Sequence, residues 1–263
     1  MRGYISVFKM RLRMELQYRG AMIGGILCQM FFGIVLVALY NALYEGKPQS
    51  VPIENVATYV WLQQAFFRML LATDPDLVDK IRSGDISYDL CRPVNMYGFY
   101  YARIMAQKLM GSLMRAIPML AVAAFLPKGW GVSAPTSALG LLAAIPALFL
   151  GLLCICALEN ITMAFTMKTL DPRGMQALLN LLMMTLSGNL LPLTLFPDSW
   201  QKVIRFFPYA QLMDAPIRLY TGDFAVSDAI GIYALQGFWA VVLIALGMSM
   251  WNANKKRMIV QGG

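Results

Sequence analysis

Side chains that can ionise or hydrogen-bond strongly stand inside otherwise apolar stretches of this chain, among them Gln63, Gln64, Arg68, Lys108, Arg115 and Glu159. A charge at the centre of a hydrocarbon layer costs about 2.5–3.5 kcal/mol on insertion scales, so each needs a partner, water or a polar ligand. Arg68 follows Gln64 by one helical turn, which makes a polar stripe turned toward protein or a cavity. Glu159 is the one acid inside such a stretch. The helical rise sets it near the depth of Lys108, so the two are expected to form a structural ion pair. Arg115, near the middle of its stretch, serves a pathway or a subunit interface, or is neutralised by carbonyls freed near Pro118. Gln63 and Asn189 add amides to the candidate substrate pathway. Met183 and Met184 offer either the adaptable, polarizable surface of a permissive binding site or simple packing.

Much chemistry is excluded. With no histidine among 263 residues, a Ser-His triad, a His-ligated zinc and a histidine proton relay are all impossible. There is no paired-carboxylate site, no Gly-x-x-x-x-Gly-Lys-Ser/Thr phosphate loop and no potassium-filter sequence. Cys28, Cys154 and Cys156 read as small buried hydrophobes and Cys91 lies in a basic, reducing-side segment. Cys154 and Cys156, two apart, point to different helix faces, so no metal site and no catalytic residue is expected.

The elements that must position these residues are long apolar runs at about 21–44, 56–73, 99–126, 136–166, 175–195 and 228–251, each near the ~20 residues that span hydrocarbon. A chain 59% hydrophobic and only 14% charged has lipid as its main solvent. The expected fold is all-α: a single polytopic membrane domain over 1–263 with six transmembrane helices. Residues 4–18 place Ile5, Phe8, Leu12 and Leu16 at helical spacing, which predicts an interfacial helix within 1–20. A plain continuation of the first span is the alternative. The basic start is followed by an apolar run longer than a signal peptide's, so this segment is expected to remain attached.

Lys and Arg set the orientation. With the N-terminus inside, Arg2, Lys9, Arg11, Arg13, Arg19, Lys80, Arg82, Arg92, Arg103, Lys108, Lys168, Arg173, Lys255, Lys256 and Arg257 are cytoplasmic, against Lys47, Lys128, Lys202, Arg205 and Arg218 outside. Both termini are therefore expected in the cytoplasm. The net charge of +8 reads as topology and contact with anionic headgroups, not as nucleic-acid binding.

Two connections are unusual. Between the second and third runs, 74–92 reads DPDLVDKIRSGDISYDLCRPV from Asp74 to Val94, with Leu77, Val78 and Ile81 on one face of a short helix and Asp76, Asp79, Lys80 and Arg82 around them. Ser83-Gly84 ends it, and an extended segment to Pro93 follows. Such a helix is a docking surface for a soluble partner, or else a solvated connection. Past the fifth run, 196–222 holds two short Pro-bounded helices. In the first, Trp200, Val203, Ile204 and Phe207 form the apolar face and Gln201, Lys202 and Arg205 the polar one. The second, Gln211 to Tyr220, is interrupted by Pro216. Together they predict an external re-entrant hairpin, or an interfacial aromatic belt.

This order, with the stretch SGNLLPLTLFPDSWQKVIRFFPYAQLMDAPIRL before the last span, resembles the type 2 ATP-binding-cassette exporter permeases. The segments IRSGDISYDLCRPV and RMIVQGG look like the bacterial subfamily of drug, viologen or daunorubicin-type export permeases. The resemblance implies a permease half in the bacterial cytoplasmic membrane that pairs with a second permease, paralogous or identical. It would sit on two cytoplasmic ATPase subunits, which use ATP and Mg while this chain binds no cofactor itself. Asp76, Leu77, Asp79, Lys80, Ile81 and Arg82 would then form the coupling helix, and Trp200, Val203, Ile204 and Phe207 the external gate. The cargo would be a hydrophobic or amphipathic small molecule, drug, lipid or peptide moved by alternating access. A secondary transporter, or a membrane scaffold or immunity protein, remain the other readings.

Overall fold

The computed structural model describes residues 2–45, 51–70, 74–91 and 93–255. Of the cations counted above, Lys47, Arg92, Lys256 and Arg257 lie outside the described residues, as does the RMIVQGG tail. Twelve α-helices and no strand occur among the described residues. They are α1 (Arg2–Gln17), α2 (Arg19–Tyr44), α3 (Ile53–Leu70), α4 (Pro75–Ser83), α5 (Ile86–Leu90), α6 (Met96–Ala124), α7 (Ala138–Thr169), α8 (Arg173–Leu186), α9 (Asp198–Ile204), α10 (Pro208–Leu212), α11 (Asp214–Thr221) and α12 (Ala229–Asn254). Single 3₁₀ turns at Leu193–Leu195 and Val226–Asp228 precede α9 and α12.

Among the described residues, α2, α7 and the Val226–Asn254 segment are long and apolar enough to cross a membrane. α7 is the hub, packed along α12 and against α6 and α11, while α3 is sandwiched between α2 and α6. Ile23, Leu27, Phe31 and Phe32 of α2, Leu142 and Ile145 of α7, and Ile230, Phe238 and Val241 of α12 all face outward. In water these would be liabilities; in lipid they are the solvent-matched surface.

Four expectations change. The fifth run is helical for only 14 residues in α8, about 21 Å long, because the chain turns at Ser187–Asn189 with Gly188 at φ +77° and then meets Pro192. The segment after α4 is the short helix α5 rather than extended chain. The second part of the external hairpin begins at Pro208, and it breaks at Met213 instead of Pro216, which sits harmlessly in the first turn of α11. Cys28 is exposed on α2, not buried, although Cys154 and Cys156 are enclosed. α1 forms as its spacing predicts: Ile5 and Leu16 face out, while Val7 and Arg11 are buried as the helix packs along α6.

Candidate functional site

α4 forms because Asp74-Pro75 opens it and Gly84, left-handed at φ +81°, closes it. Its apolar residues Leu77, Val78 and Ile81 are buried against Val7, Tyr100, Met163 and Met167. Leu77 and Ile81 therefore anchor the helix to its own chain and are not part of a partner-facing surface; the exposed residues are Asp76, Asp79 and Arg82, with Lys80 half-exposed. The sequence pattern identified the faces but not which one the parent chain would occupy.

An ion-pair cluster fixes the start of α4. Arg103 on α6 donates from Nε to Asp74 Oδ2 at 2.5 Å and from Nη2 to Asp76 Oδ2 at 2.9 Å. Arg11 on α1 donates to Asp76 Oδ2 at 3.1 Å and lies 3.5 Å from Asp74 and 3.4 Å from Glu15. The Asp74 backbone N–H donates to Glu159 Oε1 at 3.1 Å. Lys108 Nζ, 2.7 Å from Glu159 Oε2, also donates to the Met69 carbonyl at 2.9 Å, so the anticipated pair forms with both members buried. Farther along, Lys80 pairs with Asp89 at 2.9 Å, and Asp89 also accepts from the Tyr100 hydroxyl at 2.6 Å. Arg82 donates to the Leu170 carbonyl at 3.1 Å, at the left-handed end of α7, and contacts Asp171 at 3.5 Å. Hydrogen bonds from Arg173 hold the exposed Asp171 carboxyl down at about 2. α4 is thus wired to α1, α6, α7 and the α7–α8 turn at once.

A second polar system joins α3 to the hairpin. Asn189 Nδ2 donates to Gln63 Oε1 at 3.3 Å, and Gln63 donates to the Ser187 carbonyl at 3.0 Å and to the Tyr59 hydroxyl at 3.3 Å. Tyr59 donates to Asp214 Oδ1 at 2.7 Å; Asp214 lies 3.8 Å from Arg218, which donates to Gln201 Oε1 at 3.1 Å. Arg205 donates to the same oxygen at 3.2 Å, and both guanidiniums stack on Phe224. Gln63 and Asn189 therefore do meet, as structural amides of the network. Met183 on α8 and Gln64 on α3 are buried, and Met184 is half-buried. Sequence patterning gives Gln201 only as a polar-face residue and Arg218 only as an external cation, and it passes over Tyr59 and Asp214, which are 155 residues apart. The one available signal was the acid and base at i, i+4 in α11.

On α9 the expected face is corrected. Ile204 and Gln201 are buried, whereas Trp200 and Val203 are about 63% and 62% exposed and Phe207 is 44% exposed. The amide turns inward because it serves Arg205, Arg218 and the Phe196 carbonyl at 2.7 Å, and the aromatic rings turn toward the surroundings.

Arg68 and Arg115 come together with Arg11, Glu15, Tyr18 and Gln107 around one cavity. Arg115 is not at mid-height. Its guanidinium donates to the Ala21 carbonyl at 3.4 Å and lies across Gly25, level with the first turns of α2 and the last turn of α3. The reason is that α6 is 29 residues long and begins beside α1, where Tyr4 lies against Gly98, so that residue 115 comes only level with the start of α2.

Among the described residues the fold is all-helical, with outward-facing apolar helices, an amphipathic helix anchored at one end and a polar cluster of short helices before α12, which suits a membrane component. The chain matches the ABC-2 family transporter protein family over residues 48–262 and belongs to that family. It is a multi-pass membrane permease component that works with an ATP-binding-cassette ATPase carried on a separate subunit, which displaces the scaffold and secondary-transporter readings. No curated protein matches it closely enough to serve as a relative.

Proposed function

We propose that the chain is the permease of an ATP-driven exporter of hydrophobic or amphipathic compounds. It crosses a bacterial cytoplasmic membrane six times with both termini inside, with α8 and the turn after it completing the fifth crossing. One copy pairs with an identical or paralogous permease above two ATPase subunits, which bind the ATP and Mg. Drug or viologen-type cargo is in keeping with the sequence resemblance.

The observation that carries this reading is α4. Its apolar face is already consumed by the chain's own core, yet Asp76, Asp79, Lys80 and Arg82 line the outside of a helix braced at both ends by ion pairs. A rigidly braced charged helix suits the transmission of a push from a partner to α1, α6 and α7 together. The test is substrate-stimulated ATP hydrolysis by the permease–ATPase complex. Asp79→Arg with Arg82→Glu is expected to leave insertion intact while abolishing stimulation; stimulation equal to wild type would remove α4 from the coupling role.

A further inference from the structure

The elbow between α1 and α2, the last turn of α3 and the middle of α6 enclose a half-open cavity of about 340 Å³. Three arginines reach it, but they are not equivalent. Arg11 is neutralised by Glu15, Asp74 and Asp76. Among the described residues no carboxylate lies within ion-pair distance of Arg68 or Arg115, and Arg115 has only the long 3.4 Å bond to the Ala21 carbonyl. Two like charges sharing one half-buried wall repel each other, and an anion between them would convert repulsion into charge-assisted hydrogen bonds. Planar guanidiniums fit the paired oxygens of a phosphate. Gln107, Tyr18 and the carboxylates of Glu15 and Asp76, both paired with Arg11, complete a polar rim, and Ala21, Met22 and Met114 line the other side of the cavity. Outside it run the exposed apolar residues Ile23 and Leu27 of α2, a surface for acyl chains.

We infer that this cavity is a binding site for a phosphate-bearing anion, held by Arg68 and Arg115: the headgroup of a phospholipid in the adjoining leaflet, or free phosphate. The site stands on the cavity's geometry and is read out without ATPase, so its failure and that of the exporter reading are separable.

The test is native mass spectrometry of the full chain, titrated with phosphatidylglycerol, with phosphatidylcholine of the same acyl chains, and with inorganic phosphate. Wild type is expected to retain phosphatidylglycerol about tenfold better than phosphatidylcholine, and the ratio should fall to near one in R68Q/R115Q. Displacement of the lipid by millimolar inorganic phosphate assigns the free anion, and retention in its presence assigns the headgroup. Should R68Q/R115Q fail to insert, Gly111→Asp decides. A Cβ there meets only ordinary contacts, 3.5 Å from Glu15 and 3.6 Å from Arg68, and its carboxylate would occupy the arginines from within. Unchanged phosphatidylglycerol preference in either inserted variant, or a wild type that prefers neither this lipid nor phosphate, overturns the assignment.

Discussion

Lys108 and Glu159 show how strongly a single residue in an apolar helix constrains its neighbours. Both are buried and 2.7 Å apart, and the carboxylate also receives the Asp74 N–H. Removing one member strands the other, so Lys108→Met is expected to cost about 3–5 kcal/mol, whereas Lys108→Met with Glu159→Met should recover most of it. Denaturant melts of the three variants in detergent check this; additive losses would mean the contact is incidental. Gly188 imposes a different constraint. Its φ is +77° and a Cβ there would come within 2.1 Å of the Tyr59 hydroxyl. Gly188→Ala should therefore lower stability by about 1–3 kcal/mol and disturb the bond from Tyr59 to Asp214, and melting in the same detergent measures it. The first of these pairs was legible in sequence because an isolated acid and an isolated lysine in apolar runs have few other solutions. The Tyr59–Asp214–Arg218 system was not, because in sequence Asp214 looks like an ordinary loop acid and its burial depends on a tertiary fold that periodicity does not encode.

At the scale of elements, the amphipathic patterns of α4 and α9 located both helices correctly while leaving open which side meets the protein. Next to water an apolar face must turn inward, and in α4 it does. Beside lipid that rule loses its force, and in α9 an amide faces in while Trp200 faces out, because Gln201 satisfies Arg205 and Arg218 where no water would. Ile204 packs with Leu193 and Ala210, so Ile204→Ala is expected to destabilise by about 2–5 kcal/mol, while Trp200→Ala leaves the melting of the single chain nearly unchanged. Equal losses from the two would restore the fully inward-facing apolar side. The outward rings of Trp200 and Phe207 are then the surface that the hairpin turns to its surroundings. If hairpin movement opens the exit, cysteines at 200 joined across a permease pair in a Cys-free background should block export. Full export with the crosslink formed would reduce the hairpin to an aromatic belt.

For the whole molecule, the proposed orientation rests on the cation asymmetry, and the fold adds physical content to it. The Arg11–Asp74–Arg103 cluster, α4, α5 and the Arg82–Asp171 contact gather at the end of the molecule where α2 begins and α3 and α7 finish. The hairpin helices and the Phe224 stack gather with the segments leading into α12. Cation-rich segments are retained in the cytoplasm, so the proposed orientation puts Cys91, exposed at the end of α5, on that side. The chain supplies its own reporter: with Cys28, Cys154 and Cys156 replaced by Ala, the Cys91 thiol should react with a membrane-impermeant maleimide in inside-out vesicles and stay unlabelled in intact cells. Ser199→Cys on α9, made in a background also lacking Cys91, should give the reverse pattern, since residue 199 is exposed on the hairpin. Labelling of Cys91 from outside would invert the molecule, placing α4 beyond the reach of any cytoplasmic ATPase. Labelling of both sites from the same side would mean that an even number of crossings separates α5 from α9 in place of the proposed three, and that α8 with its turn fails to complete the fifth.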